Sequence, residues 1–232
     1  MSYDKNTLTT DCGLFNDDKK NGGAGIGLNI GGELLYTLKT TLNLSVSADV
    51  HYNPLNSDAK SYTIAMCNYF QDAFKQQIID NGGTSVISSC SLDKNTTYLN
   101  IPLMVGLHYS IPFEDGMKIF AFGNVGLNIR CITPMRFTIR SNYLMRGYNY
   151  VMSIKETFSF STVGTFAFRM GAGFQFTNNL SIVASYYYLG ASKVFANIIA
   201  EDLDSHIQPS EQNIELGTVT PMMVVLKLNY SF

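Results

Sequence analysis

Thr41-Leu42-Asn43-Leu44-Ser45-Val46-Ser47-Ala48-Asp49-Val50-His51-Tyr52 is the stretch whose reading decides the fold. Leu42, Leu44, Val46, Ala48, Val50 and Tyr52 fall on one face, and Thr41, Asn43, Ser45, Ser47, Asp49 and His51 on the other. An unbroken period of two is the signature of a strand, because successive side chains of extended backbone point to opposite sides. The same period recurs in 24–36, 99–111, 119–129, 165–176, 180–189 and 222–232. These make about seven strands of roughly 10 to 13 residues, against a usual mode of about 5 to 6. Strands of this length suit a tilted crossing of a bilayer.

One face carries large apolar side chains, among them Ile26, Leu28, Ile30, Leu103, Val105, Leu107, Phe166, Phe168, Phe174, Ile182, Val224, Leu226 and Leu228. The other carries Gly, Asn, Ser and Gln, with charges only at Glu33, Asp49, Arg130, Arg169 and Lys227. The apolar set is too large for the interior of an eight-strand barrel, and the polar set is too poor in charge for a water-facing surface. Composition agrees: 46% of residues are hydrophobic and 15% charged, against roughly 25% charged in soluble domains. The expected fold is therefore all-β, an antiparallel up-and-down transmembrane β-barrel, with eight strands in the full protein and about seven present here. Large apolar side chains would face lipid, with small and polar ones inside. The five inward charges would pair with one another or with trapped water, as a polar core rather than a conduction path. The alternative is a soluble lipocalin-like lipid binder, in which the apolar face would be the core.

A formal net charge of −2 without like-charge runs argues against a nucleic-acid partner. The longest apolar run, 222–226, is far short of a spanning helix. Connections alternate between short (37–40, 112–117, 177–179) and long (53–96, 131–162, 190–220). Short turns are periplasmic and long loops extracellular in bacterial outer-membrane barrels, which would place the C-terminus in the periplasm. The strand 24–36 then runs toward a short turn. The expectation is that 1–22 is a remnant of the first extracellular loop, with a signal peptide and first strand upstream, and that 23–232 forms the barrel. The ending Leu228-Asn229-Tyr230-Ser231-Phe232 resembles the signal read by the barrel assembly machinery, through Leu228, Tyr230 and Phe232.

Tyr98-Leu99-Asn100-Ile101-Pro102-Leu103, Phe122-Gly123-Asn124-Val125-Gly126, Met170-Gly171-Ala172-Gly173-Phe174, Tyr186-Tyr187-Tyr188-Leu189-Gly190 and Asn229-Tyr230-Ser231-Phe232 follow one another on consecutive strands. In that order they resemble the PorT-like outer-membrane β-barrel family, over most of 24–232. The resemblance implies an eight-strand barrel similar to the OmpA membrane domain, with a connection to protein secretion open. The chain departs from the family in lacking a first strand and in its long loop before Tyr98.

Several residues invite chemistry. Cys67 and Cys90 could close a loop of about 24 residues in an oxidising compartment, contributing roughly 3 kcal/mol; free thiols at Cys12, Cys67, Cys90 and Cys131 are the other reading. No CxxC or His-Cys spacing suggests a metal. In the loop 53–96, Met66, Phe70, Ala73, Phe74 and Ile78 recur at helical spacing before Asn81-Gly82-Gly83, so an amphipathic helix is expected over 61–80. His108 and Ser110 share an inward face in a His-x-Ser pattern that resembles outer-membrane lipid A deacylases, a hydrolase alternative needing a carboxylate partner and an oxyanion hole. Glu33 also faces inward. Arg136, Arg140, Arg146 and Lys155 stand among Tyr143, Tyr148 and Tyr150 and could meet lipopolysaccharide phosphates. Glu201, Asp202 and Asp204 lack calcium-loop spacing. The expected protein is non-enzymatic, without cofactor or metal, located in the bacterial outer membrane. Its expected partners are outer-membrane lipid, lipopolysaccharide, the assembly machinery and an unidentified surface partner.

Overall fold

The computed structural model describes residues 24–113, 117–177, 179–204 and 209–230. The expected loop remnant 1–22 and Phe232 lie outside the described residues. Along the chain come β1 (Leu28–Lys39), β2 (Leu42–Pro54), α1 (Ser57–Asp80), β3 (Thr84–Lys94), β4 (Thr97–Pro112), β5 (Lys118–Ile132), β6 (Met135–Met145), β7 (Tyr148–Phe160), β8 (Val163–Gln175), β9 (Leu180–Tyr188), β10 (Ser192–Asp202), β11 (Ser210–Val219) and β12 (Met222–Tyr230). The chain is all-β with antiparallel pairing throughout. Seven strands form a curled, barrel-like sheet in the order β1-β2-β4-β5-β8-β9-β12. They are the seven segments whose alternation is legible in the sequence. Strands β1 and β12 form its two edges and both run toward the short-turn end. Paired to each other they would be parallel, whereas a single strand between them would be antiparallel to both.

The long connections are not open loops. They hold α1 and a second sheet in the order β11-β10-β7-β6-β3, which corrects the reading of 131–162 and 190–220 as long loops. Each of these five strands continues a strand of the first sheet across two or three residues: β3 leads into β4, β5 into β6, β7 into β8, β9 into β10, and β11 into β12. The neighbour order is the same in both sheets, so the second is an upper tier standing on the first. Its hairpin β6–β7 closes at Arg146-Gly147, both with positive φ (51° and 83°), the two-residue turn whose twist matches the flanking strands.

The two tiers have opposite polarity. In the lower tier, Ser45, Ser47, Asp49 and His51 of β2 are buried and Leu44, Val46, Val50 and Tyr52 exposed. The same holds on β4 and β5, where Asn100, His108, Ser110, Asn124, Asn128 and Arg130 are buried while Leu103, Val105, Leu107, Val125, Leu127 and Ile129 are exposed. A soluble lipocalin-like barrel needs the reverse. In the upper tier Met135, Phe137, Ile139, Phe158, Ala196, Ile198, Ile214 and Leu216 are buried, and the alternate positions carry Arg136, Arg140, Lys155, Lys193, Asn197, Glu211 and Glu215. Helix α1 packs on that apolar inner face. Asn56 caps it, its Oδ1 accepting the Ala59 N–H at 2.7 Å, which starts the helix four residues before the expected 61. The Phe70 ring lies 6.0 Å from Phe137 and 5.7 Å from Phe158, with Met66, Phe74 and Ile78 buried beside it. Burial of each such side chain contributes about 1.5–3 kcal/mol. A disulfide between Cys67 and Cys90, Cα atoms 5.8 Å apart, ties α1 to β3.

Candidate functional site

The inward phase of the lower tier brings charges from distant parts of the chain to one place. Asp49 projects from β2, Glu33 from β1, Arg169 from β8, Tyr187 from β9 and Lys227 from β12. Arg169 is the hub: it reaches Glu33 Oε1 at 3.0 Å and Asp49 Oδ2 at 3.5 Å, donates to Asn124 Oδ1 at 3.2 Å, and lies 4.5 Å from the centre of the Phe122 ring. Tyr187 Oη donates to Asp49 Oδ2 at 2.8 Å. Lys227 Nζ donates to Asp49 Oδ1 and, at 3.1 Å, to Tyr187 Oη. Two carboxylates thus meet two cations in the barrel interior, with Asp49 and Arg169 almost fully buried, where unpaired charge would be costly. The network touches six of the seven lower strands and joins both edges, β1 through Glu33 and β12 through Lys227. Gly31 makes room for it: a Cβ there would stand 1.9 Å from Asp49 Oδ1.

Arg130 does not join this network, which corrects its grouping with the other four charges. It lies six residues further up β5 than Asn124, about 20 Å along the strand, beyond the reach of either carboxylate. It is 1% exposed and donates to Gly190 O at 2.7 Å, Leu189 O and Val219 O at 3.2 Å, Ser192 Oγ at 2.6 Å and Asn100 Oδ1 at 3.4 Å. Those carbonyls belong to the joints between β9 and β10 and between β11 and β12. Arg130 satisfies oxygens that leave the sheet ladder where one tier becomes the other.

A cavity of about 510 Å³ opens below Arg169 toward the short-turn end, lined by Glu33, His108, Lys118, Phe120, Gln175 and Ser185 among others. The His108 ring stacks on Phe120 at 4.6 Å, and its Nδ1 has no hydrogen-bond partner among the described residues. Ser110 is buried on the same face, one strand repeat away at about 7 Å. The hydrogen bond by which a base activates a nucleophile is therefore not formed between them. Glu33 shares the cavity with His108 but is bonded to Arg169.

Elsewhere, Leu228 and Tyr230 are 70% and 61% exposed on the outer face of edge strand β12. Lys155 pairs with Glu201 at 2.8 Å across β7 and β10, and Tyr143 stacks on Tyr150 at 5.5 Å. Cys131 carries a free thiol 3.6 Å from Thr162 Oγ1; Cys12 is outside the described residues. Among the described residues no cluster of three or more metal-ligating side chains exists, and no helix is long and apolar enough to cross a membrane. Sequence reading missed Tyr187, Asn124 and Phe122 as partners of the charges. The signal for Tyr187 was its place in the inward phase of β9, an aromatic ring on a face of serines. Compared with family models, curated proteins and solved structures, the chain matches none of them.

Proposed function

We propose that the protein is a non-enzymatic outer-membrane β-barrel protein whose lower tier spans the bilayer and whose upper tier stands outside the cell as a helix-filled surface module. The polarity inversion between the tiers carries this reading. Over 222–230, Met222, Val224, Leu226, Leu228 and Tyr230 face out at 43–77% exposure, a pattern that costs stability in water and gains it in lipid. The outward runs on β2 and β4, 44–52 and 99–111, extend about 26 and 40 Å along the strand, or roughly 20 to 30 Å at a tilt near 40°, matching an apolar band of about 25 Å. Tyr36, Tyr109, Phe113, Phe176 and Tyr230 are exposed near the short-turn end. Near the opposite end stand Tyr52, Phe166 and Tyr188, the last residue of β9. Two aromatic girdles of this kind fit the two interfaces of a bilayer.

On this reading the short turns are periplasmic, and α1 and the upper sheet are extracellular. The interior network holds the barrel rather than conducting through it, since side chains occupy the centre. Surface attachment or scaffolding for a partner is what the upper tier offers, and the strand motifs support a PorT-like relationship. The test is fractionation of expressing cells followed by SDS gel mobility with and without boiling. A heat-dependent shift in the outer-membrane fraction supports the proposal, because strands whose backbone hydrogen bonds are satisfied within the membrane-spanning sheet resist SDS until heated. A soluble protein without a shift refutes it.

A further inference from the structure

Two unassigned features lie on one side of the molecule. On the outer face of the upper tier, Lys94 of β3 sits opposite Arg136 of β6 in register, and Arg140 follows on the same face, about 13 Å further up the strand. Lys94 and Arg140 are exposed. Of the other cations of that tier, Lys155 is matched by Glu201 and Lys193 by Glu215, Arg146 stands away at the β6–β7 turn, and Asp93 accepts from the hydroxyls of Ser91 and Thr138. Lys94, Arg136 and Arg140 have no carboxylate within ion-pair distance among the described residues. Arg136 Nε is buried without a hydrogen-bond partner. Below them, β3 and β6 run into β4 and β5, and the outer face of β1, β2, β4 and β5 holds an open apolar groove of about 570 Å³. Its walls include Val46, Leu103, Val125 and Leu127, and small residues such as Gly32 and Ala48 form its floor.

We propose that this side binds one phosphorylated glycolipid of the outer leaflet, with an acyl chain along the groove and phosphates on Lys94 and Arg136 and on Arg140. The proposal rests on the bilayer reading and its sidedness. Arginine binds phosphate with two parallel N–H donors, and unmatched cations at the upper rim of an apolar belt are placed for lipid headgroups. From Lys94 to Leu103 is about 30 Å along the chain, roughly 23 Å along a barrel axis tilted near 40° from the strands, a span for one phosphate and an acyl chain; Arg140, about 10 Å higher on the same axis, is placed for the outer phosphate of the headgroup. A loose annular lipid would need neither the dent at Gly32 and Ala48 nor the unpaired cations.

The test uses the full chain folded into phosphatidylcholine vesicles containing either bisphosphorylated lipid A or its dephosphorylated counterpart at equal mole fraction. The thermal midpoint is read by circular dichroism, because a ligand that binds only the folded state raises it. The wild type is expected to gain stability with the bisphosphorylated lipid alone. K94Q/R136Q should weaken the apparent affinity by about 100-fold, one factor of ten for each charge-assisted contact. A48L, which fills the groove and leaves the cations, should weaken it while preserving the preference for phosphate. Equal midpoints with the two lipids, or a K94Q/R136Q response equal to wild type, overturn the site. The same stabilisation by inorganic phosphate overturns the lipid assignment. Failure to enter vesicles with a heat-modifiable mobility overturns the bilayer reading itself, so the two failures are distinguishable.

Discussion

Replacing Asp49 by Asn isolates the interior network with little change in shape. Asp49 is 2% exposed and takes three donors, Tyr187 Oη at 2.8 Å, Arg169 Nη1 at 3.5 Å and Lys227 Nζ. The amide keeps one acceptor oxygen, so the hydrogen bond from Tyr187 can survive. What is lost is the negative charge against which Lys227 is buried; Arg169 still has Glu33 at 3.0 Å. Removing one partner of a buried pair costs about 3–5 kcal/mol because the other charge is stranded. The Tyr187 hydroxyl at 3.1 Å offsets part of this for Lys227, so a loss near 3 kcal/mol is expected. The assay is reversible urea unfolding in detergent or vesicles, where the midpoint should fall with the slope unchanged. Asp49→Asn combined with Lys227→Met should recover most of the loss, since no charge is then stranded. A coupling energy of about 2 kcal/mol would emerge from the double-mutant cycle. A single-mutant loss below about 1 kcal/mol, or strict additivity in the cycle, would refute the reasoning, because it would mean that water reaches Lys227 as readily with Asp49 as without it.

Gly31→Ala should cost about 1–3 kcal/mol by the same assay, as its Cβ would collide with Asp49 Oδ1 at 1.9 Å and Ala48 O at 2.7 Å,. Gly32→Ala, with no atom within 4 Å, should stay within about 0.5 kcal/mol; similar losses for both would discredit the steric argument. Val125→Arg, in the middle of the exposed apolar belt, should lose about 2–4 kcal/mol in vesicles. Asn142→Arg on the outer face of the upper tier should be near neutral, and equal effects would contradict the placement of the bilayer. Reducing the Cys67–Cys90 disulfide, which closes a loop with a sequence separation of 23, should destabilise the upper tier by about 3 kcal/mol on the loop-entropy account. Limited proteolysis should then cut near α1 while the lower tier keeps its resistance to SDS.

The lower tier was legible because its strands keep large apolar side chains on one face over nine residues or more, even where Phe120 and Phe122 of β5 or Met223 and Val225 of β12 add apolar side chains to the other. Thr41 to Tyr52 shows this best: no position breaks the alternation, so the face of every side chain could be assigned before any contact was known. The upper strands lack that contrast. In β3, Ser85, Ser88, Ser89 and Ser91 give both faces a similar polarity. In β10, Phe195 and Ile199 stand on the outer face opposite Val194, Ala196 and Ile198, blurring the period. β6 does alternate, Met135, Phe137 and Ile139 against Arg136, Thr138 and Arg140, but Ser141 on the inner face and Leu144 on the outer break the contrast, and its sense is opposite to that of the strand before it. The helix was found from Met66, Phe70, Phe74 and Ile78, whose spacing matches one buried face, while its start depended on the side-chain oxygen of Asn56. The grouping of Arg130 with the carboxylates failed for a geometric reason: alternation gives the face of a residue but not its height along the barrel.

Height is what the joint between the tiers encodes. Along β5 the buried positions are Phe120, Phe122, Asn124, Asn128, Arg130 and Ile132, polar from Asn124 to Arg130, and along β6 the inner face buries Met135, Phe137, Ile139 and Ser141. Over the same path the outward positions change from Val125, Leu127 and Ile129 to Arg136, Thr138 and Arg140. A sheet in one solvent has no reason to exchange its faces, since the apolar side that is buried at one level would remain buried at the next. The exchange falls at Thr133-Pro134, where proline lacks a ladder donor, and Arg130 takes up the carbonyls freed at the neighbouring joints. The proposed bilayer, with its boundary placed there, would reconcile the two patterns: below it lipid would make the outside the apolar side, and above it water would return that role to the inside, where α1 fills it.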